Sequence, residues 1–126
     1  MGKVTVGDAM IEPENESNAL AAFAATVRAH YGERLNAIVL FGSRARNDAR
    51  PDSDADVAVI LADGSWNFWA ELRILADFAY DALIRDGLSI HAWPLAQAEW
   101  DDPGRNENPR FVANVKRDAK PLPVAA

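Results

Sequence analysis

Two aspartates one residue apart, Asp54 and Asp56, open the apolar run Val57-Ala58-Val59-Ile60-Leu61. Side chains alternate along a strand, so both carboxylates point to one face. Like charges side by side repel, and a divalent cation shared between them offsets that repulsion. Hard cations take oxygen donors, and Mg2+ binds through one or two carboxylates plus substrate phosphates, with no need of His or Cys. Ten residues separate Asp54 from Ser43, which follows Gly42. Glycine lets the backbone turn closely, and Ser43 offers a hydroxyl and an N–H to a phosphate oxygen. Arg44, Arg46 and Arg50 add positive charge in the residue type suited to bidentate phosphate contacts. Gly42, Ser43, Arg44 and Arg46 are therefore the candidate cradle for a nucleoside triphosphate. Asp54 and Asp56 are the candidate catalytic metal pair, with Mg2+ the expected cofactor and in-line displacement at phosphorus the expected chemistry.

The elements that position these groups follow from the surrounding pattern. Ala37-Ile38-Val39-Leu40-Phe41 is continuously apolar, as in a strand buried on both faces, and leads directly into Gly42. Before it, Leu20, Phe23, Ala24, Val27 and Tyr31 keep helical spacing from a cap at Ser17 to a stop at Gly32. Residues 1–16 read as an arm or irregular lead-in, and 17–126 as one domain. After the second strand, Asp63-Gly64-Ser65 reads as turn and cap. A helix through Phe68, Leu72, Leu75, Ala76, Ala79 and Leu83 then ends at Asp86-Gly87. Leu88 to Trp93 reads as a strand with Ser89, His91 and Trp93 on one face, joined to its predecessor by a crossover. Asn108 followed by Pro109 marks the start of a last helix with Lys116 and Arg117 in its final turn.

Each feature has a plainer reading. Asp-x-Asp alone fits a capped turn, a solvated acidic loop or a calcium ligand set. An EF-hand would need a following glycine and a distant glutamate, and a Walker site needs Gly-Lys-Ser or Gly-Lys-Thr, absent here. Asp48 and Asp52 read as turn residues, Arg110, Lys116 and Arg117 as solvated charges, and Trp93, Trp100 and Phe111 as packing or interface residues. The chain has 126 residues, 49% of them hydrophobic, enough for one core. It contains no cysteine, which excludes disulfides, thiolate metal sites and a catalytic thiol, and points to the cytoplasm. No signal segment or membrane-length apolar run is visible, so no membrane association is expected. A net charge of −6 argues against direct nucleic-acid binding and favours a metal-nucleotide complex or a basic partner.

Taken together, Gly42-Ser43, the ten-residue gap and Asp54-x-Asp56 between two strands resemble the signature of the DNA polymerase beta-like nucleotidyltransferase superfamily. The likeness is closest to its minimal, MNT-type members. The resemblance implies an α/β fold with a mixed central sheet flanked by helices. It also implies ATP or another nucleoside triphosphate as substrate and transfer of AMP to a hydroxyl. Minimal members often act as antitoxins of a HEPN-domain toxin partner, and some of them transfer AMP to a tyrosine of that toxin. Relatives commonly carry Gly where this chain has Asn47, a residue that also enters left-handed conformations. Active members carry a third carboxylate on a following strand, where this chain presents no acid. His91 is the candidate substitute, able to accept a proton at neutral pH, beside its reading as an ordinary hydrogen-bonded strand residue. A binding module that neutralises a partner by contact, and transfer to a small aminoglycoside-type molecule, are the alternative functions.

Overall fold

Valine, isoleucine and leucine in unbroken runs build a sheet whose middle strands are covered on both sides. The structure is a computed structural model and describes residues 13–122. In chain order the elements are α1 (Pro13–Tyr31), a 3-10 turn (Gly32–Arg34), β1 (Leu35–Phe41), α2 (Ser43–Arg46), β2 (Ala55–Leu61) and α3 (Phe68–Asp86). There follow β3 (Ile90–Ala96), α4 (Gln97–Asp101), a second 3-10 turn (Pro103–Arg105), α5 (Pro109–Asp118) and β4 (Lys120–Pro121). The strand order is β3-β2-β1-β4, with β1 antiparallel to β2 and β4, and β2 parallel to β3 through the α3 crossover. This is the expected α/β fold with a mixed central sheet.

The two sheet faces have different covers. Ile38, Leu40, Val57, Val59, Leu61, Ile90 and Ala92 pack with Leu20, Phe23, Ala24, Val27 and Tyr31 of α1 and with Leu75, Ala79 and Ala82 of α3. Each such large side chain, once buried, contributes roughly 1.5–3 kcal/mol. Val39, Phe41, Ala58, Ile60 and Leu95 pack with Val112 and Val115 of α5, and with Trp93, Trp100 and Phe111. The apolar stripe expected for the first helix is therefore core, and Trp93, Trp100 and Phe111 are partly buried packing residues on the second face. Pro94 lies in β3, an outer strand, the place where a strand tolerates a residue without an N–H.

Several boundaries differ from the sequence expectation. The first helix begins at Pro13, not near Ser17. Proline suits a first helical position, and Glu16 in that turn is anchored by Arg44. Residues 1–12 of the expected lead-in lie outside the described residues. The cap of α3 is Asn67 rather than Ser65, because its side-chain oxygen accepts from the Ala70 N–H. β3 starts two residues later and ends three later than expected, since its pairing with β2 continues to Ala96. Gly87, at φ 78°, ends α3 by donating its N–H to the Leu83 carbonyl, and Asn108 caps α5 by accepting from Phe111, both as expected. No described helix is long and apolar enough to cross a membrane.

One carboxylate is buried in the core side of α3. Glu71 accepts a hydrogen bond from the Tyr31 hydroxyl at 2.8 Å and lies 3.6 Å from Arg34. Burial, then the hydrogen bond to this charge, pushes the Tyr31 hydroxyl well above the ordinary phenol range. Tyr31→Phe leaves one oxygen of Glu71 without its donor, so it lowers unfolding free energy by about 1–3 kcal/mol. Urea denaturation of the two proteins checks this, and an unchanged midpoint would contradict it.

Candidate active site

The site begins with a backbone requirement. Gly42 has φ 76° and ψ −157°, a region closed to residues with a Cβ. A Cβ built there would fall 2.5 Å from Oδ2 of Asp56. Glycine is thus needed twice over, for the turn out of β1 and for the close passage of a carboxylate from β2.

The chain then makes the single turn α2. The N–H groups of Ala45 and Arg46 return to the Gly42 carbonyl, and those of Asn47 and Asp48 to the Ser43 carbonyl. Asn47 closes the turn at φ 63°, the left-handed conformation expected of it. The N–H groups of Ser43 and Arg44 have no acceptor within this turn, which leaves them to meet an anion at its open end.

Arg44 has a different role from the one expected. Its Nε and Nη2 donate to the Ser53 carbonyl at 2.9 and 2.7 Å, Nη2 also to the Pro51 carbonyl at 3.1 Å, and Nη1 to Glu16 at 2.9 Å. Its side chain is only 6% exposed. With these donors committed, Arg44 holds the loop before Asp54 against α1 instead of standing free for phosphate. Arg46 is the exposed cation of the turn. It donates to Asp48 at 3.1 Å and to Asp118 at 2.8 Å, and Arg117 also bonds Asp118. Those hydrogen bonds, chiefly from Arg117 and then Arg46, hold the Asp118 carboxyl below the usual range. The sequence carries no signal for this contact, which joins residues 72 positions apart.

The acidic pair and the imidazole converge at the ends of three strands. Asp56 is in register with Phe41 on β1 and with His91 on β3, so the three side chains share the face covered by α5. His91 Nε2 lies 3.4 Å from Oδ2 of Asp54, and its side chain is 54% exposed. Burial raises the Asp56 pKa above the ordinary carboxylate value, and the neighbouring Asp54 adds to this while His91 and Arg46 oppose it. Beside the imidazole, Trp93, Phe41 and Phe111 form an aromatic cluster with ring centres 5.7 to 5.8 Å apart. A cavity of about 230 Å³ lies beyond it, lined by Trp93, Leu95, Asn106, Asn108 and Phe111 among others. Among the described residues no group of three or more His, Cys, Asp or Glu side chains is arranged to hold a metal alone.

Known proteins resemble this chain in sequence and fold. The family model described as polymerase beta, nucleotidyltransferase matches residues 26–93, which include Gly42, both aspartates and His91. A Methanocaldococcus jannaschii protein provisionally named as a protein adenylyltransferase is 31% identical over 78 residues, covering 62% of this chain and 71% of that protein. Among solved structures, a Sulfolobus solfataricus protein provisionally described as a nucleotidyltransferase has a TM-score of 0.55 at 22% identity, over 96% of this chain and 89% of that one. The Elizabethkingia meningoseptica CdnE cyclic dinucleotide synthase, solved with GTP and Apcpp, has a TM-score of 0.50 at 19% identity, over 74% of this chain and 40% of that one. At these identities the two structures show likeness of fold.

Two outcomes follow from the geometry. Arg44→Met speeds amide exchange at Ser53 and Asp54 while leaving the centre of β1 protected, because the loop alone loses its clamp; uniform exchange rates in the two proteins would refute the clamp. Asp56→Asn removes a desolvated charge, so without metal the variant is more stable than the parent at neutral pH. The Asp56 pKa is raised in the fold, so its ionised form is penalised above that pKa and the penalty vanishes as pH falls through it. The advantage of the variant disappears in acid, and denaturation midpoints across pH read this directly.

Proposed function

The chain belongs to the polymerase beta nucleotidyltransferase family, and on that premise we propose that it moves AMP from ATP to a hydroxyl, the acceptor being a tyrosine of a HEPN-type toxin. The observation that carries the transfer chemistry is the register of Asp56 with His91 beside the Gly42 turn. It sets two carboxylates between an anion-binding turn and an imidazole. The choice of AMP and of a protein acceptor is supported by the relative named as a protein adenylyltransferase. The tyrosine and the HEPN partner rest on the likeness of the Gly-Ser and Asp-x-Asp motif to minimal antitoxin members.

In-line displacement needs the attacking and leaving oxygens on opposite sides of the α-phosphorus. The Ser43 and Arg44 N–H groups and the Ser43 hydroxyl hold the β- and γ-phosphates over α2, with Arg46 close enough to meet the departing pyrophosphate. The acceptor then enters from β3, past His91 and the aromatic surface of Trp93. Its oxygen bonds to the α-phosphorus, the bond to the pyrophosphate oxygen breaks, and the acceptor proton passes to His91 Nε2. Asp54, 3.4 Å from that nitrogen, stabilises the imidazolium formed. When bound by Asp54 and Asp56, Mg2+ would neutralise the triphosphate and the charge developing on its oxygens.

A second reading has support in the same residue. An imidazole in place of a carboxylate opposite Asp56 suits a chain that binds nucleotide and partner but transfers slowly or not at all, neutralising the partner by contact.

Incubation with Mg2+, α-labelled ATP and the protein encoded by the neighbouring gene, followed by intact mass of both chains, separates the two. Transfer adds one or more AMP groups to the partner, and Asp54→Asn/Asp56→Asn abolishes the gain without unfolding the protein. His91→Ala slows turnover by roughly 10²–10⁴-fold, the usual worth of a positioned base. Unchanged turnover in His91→Ala removes the base, transfer by the double variant removes the metal pair, and a stable complex with no mass gain supports the binding module.

A further inference from the structure

Among the described residues, the large apolar side chains left most open to solvent all lie on one helix. Phe68, Trp69, Tyr80, Leu83 and Ile84 of α3 are exposed, with Trp69, Tyr80 and Ile84 at 69%, 61% and 68%. The inward face of α3 is already occupied by α1 and the sheet, so Trp69, Tyr80, Leu83 and Ile84 form a separate outer surface. Positions 69, 73, 76, 80 and 83 recur at spacings of four, three, four and three, with Ile84 alongside. That is the spacing of a seam that packs against another helix, here about 22 Å long at 1.5 Å per residue. An apolar strip of this kind on a soluble domain marks an interaction surface.

Charge along the seam selects the partner. Arg73 stands within the seam and Asp77 and Asp81 follow toward one flank, a positive end followed by a negative one, and none of the three makes an ion pair with another described residue. A second α3 laid antiparallel on a two-fold axis brings Arg73 of each helix to the acidic end of the other. A parallel copy would place the two charged flanks on opposite sides of the contact and leave these charges unpaired. Small Ala76 sits near the middle of the seam, where the crossing helix comes closest, and Trp69 of each helix reaches the Leu83–Ile84 end of the other. A surface that complements itself in both apolar pattern and charge order is what an isologous contact requires. We propose that the chain forms a two-fold dimer through antiparallel α3 helices. α3 covers the sheet face opposite Asp56 and His91, so both catalytic faces of the dimer stay open.

Sedimentation velocity on the full chain over a range of concentrations tests this. The wild type is expected at twice the 13.8 kDa chain mass. Ile84→Glu, at an exposed position that does not endanger folding, weakens self-association by at least ~10-fold, equivalent to ~1.4 kcal/mol. Arg73→Glu weakens it as well, and adding Asp77→Arg and Asp81→Arg to that variant restores it. A wild type that is monomeric at its highest soluble concentration overturns the proposal, including the case in which the same surface instead captures the HEPN-type protein. An Arg73→Glu variant that dimerises as well as the wild type overturns the antiparallel arrangement.

Discussion

The contact between the Asp56 carboxylate and the backbone of Gly42 constrains everything around it. A charged oxygen is packed where even a methyl group on the neighbouring residue would collide with it. The antiparallel register of β1 and β2 holds that oxygen there, because Phe41 stands directly across from Asp56 and Gly42 follows at once. The positive φ of Gly42 turns the chain into α2, and α2 points its open N–H groups past the carboxylates. Arg44 then secures the return loop so that Asp54 arrives beside Asp56. The fold tolerates the repulsion between the two acids because hydrophobic burial of β2 on both faces outweighs it.

Much of this was legible in the residues. Alternation put Asp54 and Asp56 on one face and His91 with Trp93, and the helical stripe from Leu20 to Tyr31 named its own core side. Asn47, Gly87 and Asn108 announced local backbone geometry that depends on a few neighbouring atoms. What escaped was contact between distant segments. Nothing in Gly-Ser-Arg-Ala-Arg tells which arginine stays exposed and which is buried against Ser53, because Glu16 is supplied from a helix far back in the chain. The tie from Arg46 to Asp118 is of the same kind. α4 has no apolar stripe to reveal it, and its first turn is held by the Asp63 carboxylate accepting from the Ala98 N–H, 35 positions along the chain. The two-residue β4, with its proline, has no periodicity at all.

The two arginines of α2 show how one short turn divides its labour. Arg44 is enclosed and neutralised by Glu16 and carbonyl oxygens, where a fixed planar fork is an advantage. Arg46 is half exposed and shared among acids that a phosphate could outcompete. The first sets the position of the loop that carries Asp54, and the second keeps positive charge available at its rim. Their identical chemistry in the sequence conceals opposite demands on solvent access.

Pro94 in the outer strand β3 bears on how other molecules can approach. An open strand edge invites a foreign strand to hydrogen-bond along it, and a missing N–H interrupts the row of donors such a strand would need. The interruption falls three residues beyond His91, on the strand that lies beside Asp56. The sheet therefore resists being lengthened there by main-chain pairing. Recognition at this border must come from side-chain shape and charge, which favours a selective visitor over any extended peptide.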